Sequence, residues 1–419
     1  LNIVLDEKVV LEYCESATLQ RYLTTNYRQS SKNGTSQLAY STDFLEKTLL
    51  RAKGIGSSDI HFEPYEDYCR VRFRLDGKLI EQFTIPIQDY PTMANKIKVR
   101  AQLDIAEKRL PQDGRISFNL KDNEFDLRVS SLPTLYGEKI VLRILSRETG
   151  AIDLGQLGFG EEELASYKEG IKKPNGIVLI SGPTGSGKTT TLYATLKLLN
   201  RPDVNIVTIE DPIEYTLEGI NQVQLKENIG LDFASALRTF LRQDPDVIMV
   251  GEIRDVKTAN MAIRAALTGH LVLSTIHTNS SWATISRLVD MGIPPFLVAS
   301  TLNMSVAQRL VRKLCDSCKT RVKLDKSHFP GNNKVPKTLE DHFLPQGCNA
   351  CHHTGYKGRQ AIYEILPITN ELVPSIKENH ITIEGYFGDK NLSTLKINAI
   401  DLVQRGITSL EEVYALLTQ

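Results

Sequence analysis

Nine residues, Gly182-Pro183-Thr184-Gly185-Ser186-Gly187-Lys188-Thr189-Thr190, constrain what this chain can fold into more than any other stretch. They fit G-x-x-x-x-G-K-[ST], the pattern of a phosphate-binding loop. The pattern works only between a strand and a helix, and both are legible. Ile177-Val178-Leu179-Ile180 is an apolar run of strand length, and Lys188 to Leu199 reads as a helix. Glycines let successive N–H groups turn toward one point without a side chain in the way. The helix N-terminus adds partial positive charge there. Lys188 then supplies a full charge to the β- and γ-phosphates of a bound nucleotide, and the Thr189 hydroxyl completes a Mg²⁺ shell.

The chain has 419 residues, enough for about two to four domains. Fifty basic and fifty acidic residues cancel, so no global field draws it to nucleic acid or anionic lipid. No apolar run reaches the roughly 18 residues that span a membrane, and no signal peptide is visible. The first residue is Leu1 rather than Met, so targeting at this end cannot be judged. Six cysteines fall as two singles, Cys14 and Cys69, and two C-x-x-C pairs. That is a metal pattern in a reducing compartment more than a disulfide framework.

In chain order, residues 1–42 are polar and weakly patterned, with a flexible linker expected at Ser30–Ser36. From Asp43 a helix is expected through Ala52. Tyr68–Leu75 alternates, with Val71, Phe73 and Leu75 on one face and Arg70, Arg72 and Arg74 on the other, and Asp76-Gly77 reads as a hairpin turn. A second helix is expected over Tyr90–Ala106. Strands come next near Arg115–Leu120, Glu124–Ser130 and Lys139–Leu145, with turns at Gln112-Asp113-Gly114 and Lys121-Asp122-Asn123. Residues 43–145 thus read as an α+β domain, joined by a linker over 146–160 to a second domain. From Gly176 short apolar strands alternate with helices. The expected strands are Ile177–Ser181, Asn205–Ile209, Val247–Val250 and Leu271–Thr275. The expected helices are Lys188–Leu199, Asp232–Arg242, Thr258–Leu267 and Ala283–Met291. This is an α/β domain over 161–312, with a mostly parallel sheet covered on both faces.

Ligands of such sheets sit at the carboxyl ends of the strands, and each strand here ends in a polar cluster. The second runs into Thr208-Ile209-Glu210-Asp211-Pro212, and the third into Gly251-Glu252-Ile253-Arg254-Asp255. Glu210 and Glu252 should converge beside the loop. One would serve the Mg²⁺ shell and the other would orient and deprotonate the attacking water. The residues alone do not say which. His277, at the carboxyl end of the fourth strand, is placed to meet a γ-phosphate or the water; His270 lies at the opposite end. Cys315-x-x-Cys318 and Cys348-x-x-Cys351, 29 residues apart, offer four thiolates for a structural Zn²⁺ in a subdomain over 313–355. A redox role is the alternative, and His352 or His353 would substitute for a ligand. Arg115 and Arg128, in the first domain, would reach a neighbouring subunit's phosphates as arginine fingers in a ring, or are ordinary strand charges.

Taken together, Gly182–Thr190, Thr208–Tyr215, Arg238–Asp255 and Thr268–His277 resemble the Walker A, aspartate box, Walker B and histidine box of secretion ATPases of the type II/type IV pilus superfamily. Ser57–Pro64 and Leu110–Arg115 resemble its second N-terminal domain, a PAS-like α+β module. The cysteine pairs and the tail Gly406–Val413 resemble the zinc-containing type II secretion and pilus-extension branch. The resemblance covers about residues 43–419. It implies a RecA-like P-loop domain, a helical C-terminal region over 356–419, and ATP hydrolysis by a cytoplasmic homohexamer. That hexamer would be held peripherally at the inner membrane by a platform protein and a cytoplasmic docking protein. It further implies that Arg115 and Arg128 approach the phosphates and that Arg238 and Arg242 match other family arginines in the ATPase domain, and it favours Glu252 in the Walker B role with Glu210 nearest the water. Members of this branch carry a further N-terminal domain, in whose place only about 40 unpatterned residues are expected here. The rival readings are a RecA-like motor on nucleic acid, disfavoured by the balanced charge, and a non-catalytic nucleotide switch.

Overall fold

The computed structural model describes residues 43–120, 123–145, 153–324, 339–378, 386 and 392–418. The expected linker at Ser30–Ser36, and Lys121 and Asp122 of an expected turn, lie outside them. The described residues divide into two compact units, one of 43–118 and 126–144, the other of 119–120, 123–125 and those from 145 onward.

The first unit holds α1 (Phe44–Gly54), β1 (Asp59–Pro64), β2 (Tyr68–Leu75), β3 (Lys78–Pro86), α2 (Tyr90–Arg100), β4 (Gln112–Leu120), β5 (Asn123–Thr134) and β6 (Gly137–Leu145). Its sheet runs β3-β2-β1-β6-β5-β4. β2 buries Cys69, Val71, Phe73 and Leu75 and leaves its arginines on the other face. Asp76 and Gly77 both take positive φ, 45° and 89°, as a two-residue hairpin turn requires. The opposite face of β1 carries Asp59, His61 and Glu63. Arg70, Arg72 and Lys139 all pair with Glu63, and Arg74 and Arg143 pair with Asp59.

Two local expectations fail for physical reasons. α2 stops at Arg100 rather than Ala106, and Gln102 at φ 58° is left-handed, which an α-helix cannot continue through. Gln112-Asp113-Gly114 is the start of β4, not a turn. Gly114 is small because a Cβ there would sit 2.5 Å from the Ala101 carbonyl oxygen and 2.8 Å from Leu103. The glycine serves a close approach of two backbones.

The second unit holds α3 (Glu161–Ile171), β7 (Gly176–Ser181), α4 (Lys188–Leu199), β8 (Ile206–Glu210), β9 (Asn221–Gln224), α5 (Phe233–Phe240), β10 (Val247–Val250), α6 (Val256–Leu267), β11 (Leu271–Ile276), α7 (Ser281–Asp290), α8 (Pro295–Thr301) and β12 (Leu302–Leu314). Beyond them come β13 (Thr320–Lys323), β14 (Asp341–Leu344), β15 (Tyr356–Pro367), α9 (Leu372–Lys377), α10 (Leu395–Gln404) and α11 (Leu410–Leu417). The main sheet runs β15-β12-β7-β11-β10-β8-β9. Neighbours from β12 to β9 are parallel, and β15 is antiparallel to β12. Alternate strand residues feed two cores, one on each face. Leu179, Ile209, Ile248 and Val272 pack with α5, α6 and α7. Val178, Ile180, Met249 and Leu273 pack with Tyr167 of α3 and Leu192 and Leu196 of α4. The fold is thus α/β with helices on both sides of a largely parallel sheet.

The strand next to β7 was not expected from the residues. β12 carries Asn303, Ser305, Gln308 and Arg309, which break the apolar run yet are buried. The region 356–419 is helical only in part, because Tyr356–Pro367 forms β15. Its last two helices begin at hydroxyl caps, Thr394 accepting from Ile397 N and Ser409 from Glu412 N.

Candidate active site

Each catalytic candidate outside the first unit lies at the carboxyl end of a parallel strand or in the segment that follows it. β7 opens into the loop 182–187, and α4 begins at Lys188. Gly182, Gly185 and Gly187 take φ of 150°, 82° and 87°, where a side chain is strained. Two are also sterically confined. A Cβ on Gly182 would lie 2.4 Å from the Gln308 carbonyl oxygen, and one on Gly187 would lie 2.9 Å from Gln308 Nε2. Lys188 Nζ donates to the carbonyls of Gly182 (2.8 Å) and Pro183 (3.0 Å), curling the ammonium over the loop. Burial lowers its pKa, the charge of Arg309 adds to this, and Glu252 opposes it. Pro183, Thr184, Gly185 and Thr189 are exposed. Ser186 is buried, and its hydroxyl has no hydrogen-bond partner. An orphaned buried hydroxyl in a glycine-rich loop at a helix N-terminus fits an anion such as a phosphate.

β11, β10 and β8 lie beside β7 in that order. At their carboxyl ends stand His277, Glu252 and Glu210. Glu252 accepts from Arg254, and His277 Nε2 lies 3.4 Å from its other oxygen. Arg254 also reaches Asp211 at 3.7 Å, which ties the ends of β8 and β10 together. Ser274 and Thr275 of β11 donate to the carbonyls of Val250 (2.7 Å) and Gly251 (2.8 Å), so the turn into Glu252 is pinned. Glu210 is held differently. It is 3% exposed, and Tyr193, Thr208 and Gln222 all donate to its carboxylate.

Several residues of this site escaped the sequence reading, Gln308 and Arg309 of β12 among them. Gln308 Nε2 donates to Ser186 O (2.8 Å) while its Oε1 accepts from Thr191 (2.9 Å), clamping the loop to α4. Arg309 donates to Gln308 O (3.1 Å) and Asn279 O (2.7 Å), bridging the loop's surroundings to the segment after His277. The signal was present as polar residues inside an apolar strand. His270 instead lies against the end of α6, with Nδ1 2.8 Å from Ala265 O.

A family model described as "Type II/IV secretion system protein" matches residues 35–415. The chain belongs to that family. The type IV pilus assembly ATPase PilB of Pseudomonas aeruginosa is 48% identical over 378 residues, covering 88% of this chain and 66% of that protein. The type II secretion system protein E of Dickeya dadantii is 46% identical over 359 residues, covering 85% of this chain and 72% of that protein. The chain spans 64–66% of the length of three pilus assembly ATPases it matches. Among solved structures, the pilus retraction motor PilT with bound ADP aligns with TM-score 0.60 at 26% identity, over 88% of this chain and 95% of that one. The Legionella pneumophila ATPase DotB shares the fold, with TM-score 0.68 at 21% identity, over 92% and 98% of the two chains. The α/β architecture and the expected family therefore agree.

The second site of interest is the cysteine quartet. The sulfurs of Cys315, Cys318, Cys348 and Cys351 all lie within 4.8 Å of one another. Cys315–Cys348, Cys318–Cys351 and Cys348–Cys351 stand 3.9, 3.8 and 3.8 Å apart. A tetrahedron with Zn–S bonds of about 2.3 Å has edges of about 3.8 Å, so the donor set fits that ion. These gaps are far too long for disulfides, which need about 2.05 Å. The Cys351 thiol, opposed by its burial, is drawn down to about 7 by N–H groups of Cys348 and Gly355 aimed at its sulfur. His352 and His353 are exposed and do not join the quartet.

Arg115 and Arg128 lie on β4 and β5, adjacent strands of the first unit, whereas the loop and both acids belong to the second. Among the described residues no helix is long and apolar enough to cross a membrane.

Proposed function

We propose that this chain is an ATP hydrolase that powers assembly of a pseudopilus or pilus, driving type II protein secretion or, alternatively, type IV pilus extension. The observation that carries the reading is the delivery of a phosphate loop, a histidine and two carboxylates by four adjacent parallel strands. Near-half identity to pilus and secretion ATPases supports the direction of the work done. The backbone of Gly182–Gly187 and Lys188 would hold the triphosphate. Thr189, with Glu252, would hold Mg²⁺, which offsets charge on the β- and γ-oxygens. Glu210 would orient and deprotonate the attacking water, and His277, in contact with Glu252, is placed to sense the γ-phosphate.

The finer assignments belong to the same proposal. The second unit is a RecA-like P-loop domain with a zinc subdomain at the cysteine quartet, where Zn²⁺ would staple a segment with little core of its own. The first unit is a PAS-like module, its domain limits near 43 and 145. In a homohexamer its Arg115 and Arg128 would meet a neighbour's phosphates, and the ring would act in the cytoplasm on an inner-membrane platform. No nucleic acid enters this scheme.

Phosphate release and binding of a fluorescent ATP analogue test it together. Lys188→Ala should lose nucleotide affinity, because the ammonium and its loop contacts go. Glu252→Gln should keep binding and lose turnover by at least about a hundredfold. Full turnover by Glu252→Gln would remove that residue from the chemistry. Unchanged ATP affinity in Lys188→Ala would refute the loop assignment.

A further inference from the structure

We propose that Tyr193 and Gln222 are positioning residues that aim Glu210, one through each carboxylate oxygen. The idea rests on the proposed ATP hydrolysis and deepens it.

Glu210 ends β8 with its side chain almost wholly enclosed. A carboxylate so placed is costly unless donors surround it. Three do. Thr208 Oγ1 (2.6 Å) and Gln222 Nε2 (3.0 Å) donate to Oε1, and the Tyr193 hydroxyl donates to Oε2. An ionised carboxylate offers about four lone-pair positions. Three are filled, and the one left is on Oε2, the atom that Tyr193 holds. A water molecule that gives its proton to Glu210 therefore meets an oxygen whose direction is set by that phenol.

The phenol is itself fixed. Tyr193 is fully buried on α4, five residues after Lys188, so it is rigidly tied to the helix that leaves the phosphate loop. Tyr215 packs edge-on against the Tyr193 ring, with centroids 4.6 Å apart at 76°, and the Tyr193 oxygen accepts from Glu214 N at 3.3 Å. Burial keeps the phenol protonated by pushing its pKa well above the ordinary value, an effect the neighbouring Glu210 charge adds to. It remains a donor at any working pH. Gln222, on the edge strand β9, has its amide anchored as well. Its second N–H reaches Tyr215 O at 3.2 Å, and its oxygen accepts from Leu217 N at 2.6 Å. The segment 211–217 and the loop helix are thus both connected to one carboxylate. A shift of α4 when nucleotide enters would be felt at Oε2 directly.

Tyr193→Phe removes one oxygen and keeps the ring, and Gln222→Met keeps the length while removing the amide. The test uses the full-length chain, with steady-state ATP hydrolysis, affinity for a fluorescent ADP analogue and melting temperature measured side by side. For Tyr193→Phe, kcat should fall about tenfold, KM and ADP affinity should stay within about twofold, and melting should shift by only a few degrees. Gln222→Met should show the same split. A merely structural role for the Tyr193 hydroxyl, tying α4 to the Glu214 backbone, would leave α4 disturbed in Tyr193→Phe, and ADP affinity would fall in step with kcat. That outcome, or wild-type kcat in both variants, overturns the proposal. Absence of hydrolysis in the wild type itself would instead sink the reading beneath it, and this inference with it.

Discussion

Two glycines of the phosphate loop should respond very differently to one added methyl group. Gly182→Ala places a Cβ 2.4 Å from the Gln308 carbonyl oxygen and 2.7 Å from Ser186 Oγ, at φ 150°. The first contact is roughly 1 Å inside a comfortable separation. The opposing atom is backbone of β12, which is hydrogen-bonded to β7 on one side and β15 on the other, so it cannot retreat. Overpacking of this kind costs about 1–3 kcal/mol, and the backbone strain adds about 1–3 kcal/mol. Gly185→Ala meets nothing within 4 Å and has only the strain of φ 82° to bear, about 1–2 kcal/mol. Gly182→Ala should therefore destabilise the apo protein by about 1–4 kcal/mol more than Gly185→Ala. For a unit of this size that separates the two melting temperatures by roughly 3–12 °C. Thermal melts at one scan rate, without nucleotide, measure it, because Gly185 is exposed and its substitution would confound any assay with ligand. Melting temperatures within 1 °C of each other, or the reverse order, would refute the packing argument around β12.

The cysteine quartet and the charge cluster on β1 each carry a further expected outcome. Metal analysis of the purified protein should find about one zinc per chain, and Cys318→Ser or Cys348→Ser should lower both zinc content and melting temperature. Substoichiometric metal with all four thiols open to alkylation would contradict this. The second concerns acid. Burial alone would raise the Glu63 pKa, but the hydrogen bonds from Arg72, Lys139 and Arg70 outweigh it and hold the group at about 2, against 4.5 unperturbed. A depressed carboxylate stabilises the fold fully above the unfolded value and loses that contribution as pH falls from about 4.5 to 2. The amount is roughly 3 kcal/mol. Denaturant unfolding of wild type and Glu63→Gln should diverge in pH dependence within that window and run parallel above pH 5 or so. Parallel curves throughout would show that the three cations contribute nothing specific to Glu63.

What the residues announced, and what they hid, divides along the range of the interactions involved. The loop, the two acids and His277 were legible because each lies in a contiguous stretch where an apolar strand meets its polar end, and parallel sheets put such ends side by side. The C-x-x-C pairs were legible for a similar reason, since each pair is a local hook. Gln308 stands 122 positions from Ser186, the residue it clamps, and Gln222 is 12 from Glu210 on an edge strand whose four residues show little apolar pattern. Nothing local marks Gln222, and nothing local tells which loop Gln308 serves. Gly114 shows the converse: a local cue was real but had a second physical cause, since a glycine answers to a close neighbour as readily as to a turn. Polar residues embedded in otherwise apolar runs, such as Gln308 and Arg309 in β12, are the cue that would have recovered the missing half of the site. Burying an amide and a guanidinium is unfavourable unless some group needs them. Here the groups that need them are the carbonyls of the phosphate loop and of the turn after His277. The cost of burying those side chains on β12 is thus offset by the rigidity of the loop, and a loop held rigid before nucleotide arrives loses less entropy in binding it.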